Sequence, residues 1–142
     1  MNDPPETLTI TSRAECIDDA RQWVTQRVRE AGFGDEPAGE IELALTEALA
    51  NVIEHAYRGA DDKRIDVGVS LDGEVLRVLV RDWGAYFDPA SYRGRDLDDP
   101  GEGGYGVFLM SQLMDDVTRE PQPDGGTLLT LIKTRTKDES HD

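Results

Sequence analysis

A single cysteine, Cys16, stands among the 142 residues, which excludes an intrachain disulfide and a cysteine cluster for zinc and fits a reducing cytosol. Histidine is almost as scarce: His55 and His141 are the only two, too few for a histidine metal cluster. No run approaches the roughly 18 apolar residues of a membrane span. The opening Met1-Asn2-Asp3-Pro4-Pro5-Glu6 has neither the positive nor the apolar stretch of a signal peptide, so a cytoplasmic protein is expected. Basic residues are outnumbered 30 to 15, a formal net charge of -15. That balance repels phosphate backbones and anionic lipid, setting nucleic acid and membranes aside as partners; a basic protein partner stays open. Gly-Lys-Ser and Gly-Lys-Thr are missing, which removes a Walker-type loop, and without His-Arg-Asp or Asp-Phe-Gly the eukaryotic-type protein kinase pattern is absent too.

What is present suits one packed unit. Hydrophobic residues make up 37% and charged residues 32%, enough Leu, Val and Ile for a core and too many for disorder throughout. The length predicts a single domain over residues 1–142 with a frayed tail at 134–142. Leu8 to Thr11 reads as a short strand, and Ser12 sits where an N-cap belongs, ahead of a periodic stretch from Ala14 to Ala31 that Gly32 and Gly34 stop. A second helix is expected from about Pro37 to Tyr57. Arg64 to Leu71 and Glu74 to Arg81 alternate around Asp72-Gly73, a strong hairpin signal. Asp82 to Gly106 loses periodicity over a length that loops in compact domains rarely reach without a function. Helical spacing then resumes through Val107, Met110, Leu113 and Met114, opening at Gly106, and Asp116 to Arg119 and Thr127 to Lys133 read as strands. Helices and hairpins are segregated rather than alternating. The expected fold is therefore α+β, a two-layer sandwich with a mixed, mainly antiparallel sheet and helices on one face.

At about 100° per residue, Ile41, Leu45, Leu49, Val52 and Ala56 share one face of the second helix, and Glu40, Glu47, Asn51 and Glu54 cluster on the other. Such a stripe can be no more than a solvated face. Glu47 and Asn51, however, stand one turn apart. A carboxylate there can take a hydroxyl proton while the neighbouring amide oxygen holds a hard cation such as Mg²⁺, an arrangement suited to phosphoryl transfer. His55, one turn further on, reads as structural.

Asp82-Trp83-Gly84 follows a strand; the aspartate can accept a hydrogen bond from the exocyclic amine of adenine, or the segment can be an ordinary turn. Gly101-Glu102-Gly103-Gly104-Tyr105-Gly106 places four glycines in six residues just before a helix. Bare amides and a positive helix end make an anion site there, against the alternative of a flexible surface loop. Gly101, Gly103 and Gly106 formally match a dinucleotide fingerprint, yet no strand precedes them, and the Rossmann reading fails on context.

In order, Glu47 to Asn51, Asp82-x-Gly84, the Gly101 to Gly106 loop and Gly126-Thr127 resemble the four nucleotide-binding boxes of GHKL-type (Bergerat-fold) ATPases over about residues 40 to 133. Thr46 to Tyr57, Phe87-Asp88-Pro89 and Gly104 to Met110 resemble, more closely, the anti-sigma factor serine/threonine kinase branch. The resemblance implies ATP and Mg²⁺, Glu47 as general base, Asn51 as Mg²⁺ ligand and Asp82 as adenine reader. It further implies that Gly84 admits the purine, that Gly104 and Gly106 belong to the phosphate-facing lid, and that Thr127 supports the pocket. Arg93 and Arg95 are weaker candidates for phosphate charge. The partners it implies are a STAS-type anti-sigma factor antagonist as phosphoacceptor, a sigma factor held by partner switching, and a second copy in a homodimer. Tyr86 stands where many members carry a second glycine, and a complete sensor histidine kinase is not expected, since no phosphoacceptor helix pair precedes the domain. Two alternatives accompany the kinase reading: an ATP-bound anti-sigma module with little turnover, and a catalytic domain acting on a histidine of another protein.

Overall fold

The hairpin anticipated at Asp72-Gly73 is the centre of the fold. In the computed structural model, which describes residues 5–85 and 103–135, β2 (Arg64–Asp72) and β3 (Val75–Asp82) pair antiparallel around a turn in which Gly73 takes φ +63°, a left-handed conformation that glycine adopts without steric cost. β1 (Glu6–Thr11) pairs with β2 along its whole length, two residues longer than expected, and β5 (Thr127–Thr134) lies between β3 and β4 (Asp116–Pro121). The order is β1-β2-β3-β5-β4. The sheet, expected to be mixed and mainly antiparallel, is antiparallel at all four described pairings.

Three α-helices cover one face: α1 (Ala14–Glu30), α2 (Asp35–Asn51) and α3 (Gly103–Leu113). The two-layer α+β sandwich stands as read. Along β3, Leu76, Val78, Val80 and Asp82 point into the core, while the alternate residues are half-buried on the far face. Val24 and Val28 of α1, Met110 of α3 and the predicted stripe Ile41, Leu45 and Leu49 of α2 join the same core, every one of them 1% exposed or less. Each such side chain contributes about 1.5–3 kcal/mol through burial. No helix among the described residues is long and apolar enough to cross a membrane.

Three local readings need correction. Ser12 is not a cap; Arg13 holds that position without a side-chain hydrogen bond. The buried Ser12 hydroxyl instead donates to the Ala60 carbonyl at 2.6 Å and accepts the Lys63 N–H at 3.0 Å, tying the end of β1 to the segment before β2. α2 starts at Asp35, ahead of Pro37, because proline in a first turn lacks only an N–H that would have no intrahelical partner. The same helix does not run as α to Tyr57. Its last turn, Val52–Ala56, widens to a π-helix in which the Tyr57 N–H reaches the Val52 carbonyl at 2.9 Å. Arg58 (φ +53°) and Gly59 (φ +84°) then end it in left-handed conformations.

Candidate functional site

The predicted polar stripe on α2 divides in the structure. Glu40 is committed to an ion pair with Lys133 of β5 at 2.9 Å, and Glu54 is exposed. Glu47 stays half-buried, and Asn51, expected on a solvent-facing stripe, is 4% exposed. α3 packs along α2, a contact that helical periodicity alone does not announce. The Asn51 Nδ2 has no hydrogen-bond partner among the described residues. A buried N–H donor left this way costs about 1–3 kcal/mol, and native folds rarely tolerate it unless water or a ligand acceptor such as a phosphate oxygen completes the set. Glu47 lies one turn before it.

Asp82 ends β3 opposite Thr127 of β5, and both side chains are 2% exposed. Burial pushes the Asp82 carboxyl up from its ordinary value, opposed by the Gly84 N–H, by Arg119 and Arg81, and by the Thr127 N–H. The Gly84 N–H donates to Asp82 Oδ1 at 2.9 Å. Two glycines permit this packing. A Cβ on Gly84 would stand 2.4 Å from the Ala56 carbonyl oxygen, and one on Gly126 1.9 Å from the Asp82 carbonyl oxygen, with Gly126 also at φ +79°. Gly126 thus joins the site's framework, a role that its place beside Thr127 in the sequence does not reveal.

The turn after β3 is fastened to the end of α2. The Ala85 N–H donates to the Ala56 carbonyl at 3.0 Å, and the Trp83 N–H to the Tyr57 hydroxyl at 2.8 Å. Tyr57 was missed as a functional candidate; a buried tyrosine at a helix end needs a partner for its hydroxyl, and that was the available signal. Gly104 and Gly106 fall in the first turn of α3, which opens at Gly103, three residues earlier than expected. Gly101, Arg93, Arg95, Tyr86 and Phe87-Asp88-Pro89 lie outside the described residues. A cavity of about 630 Å³ opens behind the turn beside Arg58, Lys63 and Trp83. None of Glu47, Asn51, Asp82 or Thr127 lines it, so this cavity is not where the predicted chemistry sits.

Among the described residues no group of three His, Cys, Asp or Glu side chains could cage a metal. A single carboxamide suits Mg²⁺ nonetheless, because that ion keeps several waters and takes one or two protein ligands plus substrate phosphates.

Residues 10–133 match the histidine kinase-like ATPase domain family, and the chain belongs to it. The chain is 31% identical to the serine-protein kinase RsbW of Halalkalibacterium halodurans, over 95% of this chain and 87% of that protein. It is 32% identical to the serine-protein kinase RsbW of Listeria monocytogenes serotype 4a, over 78% of this chain and 76% of that one. A crystal structure of the RsbU and RsbW domains of a Mycobacterium tuberculosis protein superposes with a TM-score of 0.67 at 21% identity, over 93% of this chain and 32% of that longer one, a likeness of fold. Within the ATPase class, then, the protein is a serine/threonine kinase of the anti-sigma factor kinase family, and ATP is its nucleotide.

Proposed function

We propose that this kinase phosphorylates a serine or threonine of a STAS-type anti-sigma factor antagonist and holds a sigma factor by partner switching. The observation that carries the reading is the Asn51 carboxamide, buried with no partner for its Nδ2 among the described residues, one turn from a half-buried Glu47. On this reading Asp82 accepts the exocyclic amine of adenine, Gly84 lets the purine approach, and Thr127 supports the same end of the pocket. Gly104 and Gly106 serve the phosphates from the first turn of α3.

The acceptor hydroxyl oxygen forms a bond to the γ-phosphorus while the bond to the bridging oxygen breaks and its electron pair leaves with ADP. Glu47 takes the hydroxyl proton. Asn51 would hold Mg²⁺ through its amide oxygen; when bound, the ion would offset most of the phosphate charge in a chain whose net charge is -15. Transfer of this kind asks the protein mainly for positioning and electrostatics. We place the protein in the cytoplasm as a single domain that forms a homodimer.

Incubation with Mg-ATP and a candidate antagonist should add one phosphate mass to the antagonist, and the phosphate should survive acid. An acid-labile product points to histidine and sinks the assignment. Glu47→Ala should lower transfer by about 10²-fold or more with ATP affinity, read by calorimetry, within about twofold. Unchanged transfer removes Glu47 from the reaction.

A further inference from the structure

Three consecutive amides follow the end of β3, and each has a defined partner. Gly84 N–H is held by the Asp82 carboxylate itself, Ala85 N–H by the Ala56 carbonyl and Trp83 N–H by the Tyr57 hydroxyl. The Tyr57 hydroxyl in turn donates to the Arg64 carbonyl at the start of β2, at 2.5 Å. Two adjacent residues at the end of α2 thus fasten the turn that carries Asp82, and the Tyr57 ring lies 2.8 Å from where a Gly84 Cβ would stand. Six positions earlier on the same element stands Asn51.

We infer that Tyr57 is a positioning residue for nucleotide selection: its hydroxyl fixes the Asp82 turn relative to the Asn51 end of α2, so that the carboxylate meets the purine amine while the amide serves the phosphates. The inference rests on the nucleotide roles proposed above for Asp82 and Asn51. Tyr57 touches neither base nor phosphate in this scheme; it sets the distance between the groups that do. Tyr57 is buried as a residue, and its hydroxyl joins the turn to the start of β2 through two hydrogen bonds. A purine with a carbonyl in place of the amine has no N–H at that position for Asp82 to accept, its ring N1–H lying at the neighbouring atom, so its binding should depend less on the turn's exact seat.

The test is calorimetric titration of the full chain with Mg-ADP and with Mg-IDP, comparing wild type, Tyr57→Phe and Ser12→Ala. Ser12→Ala removes hydroxyl bonds to Ala60 and Lys63 in the neighbouring segment and controls for loosening alone. Tyr57→Phe should weaken ADP about tenfold, the scale of one buried hydrogen-bonding group, change IDP less than twofold, and so narrow the preference for adenine. Ser12→Ala should lower the melting temperature and leave that preference intact. Equal weakening of both nucleotides by Tyr57→Phe, or none, overturns the inference while the site reading survives. Failure of the wild type to take up ADP overturns both. Should Tyr57→Phe not fold, hydrogen exchange at the Trp83 amide of the wild type decides: protection that rises on adding Mg-ADP supports the inference, and exchange at the rate of a free amide with and without ADP refutes it.

Discussion

Replacing Gly84 by alanine tests the tight contact between the Asp82 turn and the end of α2. The added Cβ would lie 2.4 Å from the Ala56 carbonyl oxygen and 2.7 Å from its carbon, both backbone atoms that cannot rotate away. Restoring ordinary contact requires the two segments to part by about 1 Å. That motion lengthens the 3.0 Å Ala85–Ala56 hydrogen bond beyond useful range. Overpacking of this kind costs about 1–3 kcal/mol and the lost bond about 0.5–1.5 kcal/mol, together a large fraction of typical stability. For a chain of this size the melting temperature should fall by about 10 °C, and ADP affinity should fall by more than tenfold because the displaced turn is the one that carries Asp82. Gly39→Ala is the internal reference. It lies in the interior of α2 with nothing within 4 Å of its Cβ position, so alanine should stabilise by up to about 1 kcal/mol. Differential scanning calorimetry and nucleotide titration on the two variants check the reasoning, and a Gly84→Ala protein with wild-type melting and ADP affinity refutes it.

Gly126→Ala should be worse, since it combines a 1.9 Å backbone clash with a φ of +79°; little folded protein is expected by circular dichroism. The raised Asp82 carboxyl gives a signed pH dependence. Between its ordinary value of 3.8 and its higher folded value the folded state binds more protons, so this group lowers stability as pH rises through that window, and the penalty is fully present above it. Asp82→Asn should therefore gain stability relative to wild type as pH rises from about 4, measured by urea unfolding, while losing about 10- to 100-fold in ADP affinity through the missing charged acceptor. Lys133→Met should cost about 1–3 kcal/mol, because its ammonium bridges Glu40 of α2 and the Leu113 carbonyl at the end of α3; chemical denaturation reads it.

Features set by neighbours in sequence were legible. The Asp72-Gly73 turn, the strands around it and the stop at Gly32, with φ +93°, follow from backbone preference and a period of two or 3.6, and the structure realises them. Features set by distant neighbours were not. Asn51 reads as one polar residue of an exposed stripe, yet the fold, in which α3 packs along α2 from more than 50 residues later, buries it. Ser12 has the chemistry of a cap, and the same hydroxyl serves equally well across 48 residues to Ala60. The π-helical turn hinges on one extra residue within a hydrogen-bonded ring, which composition does not encode. Glu47, Asn51, Asp82 and Thr127 could be picked out because their order along the chain follows a known pattern; what holds them, Tyr57 and Gly126, emerges only from contacts.

The indole of Trp83 is flanked by the guanidinium groups of Arg64 at 4.8 Å and Arg81 at 4.6 Å, and only one other tryptophan, Trp23, exists in the chain. Two fixed positive charges over its faces make the excited state sensitive to small shifts of the backbone that bears it. With Trp23 exchanged for phenylalanine, the remaining emission becomes an intrinsic, label-free signal of how the segment after β3 responds to nucleotide in real time.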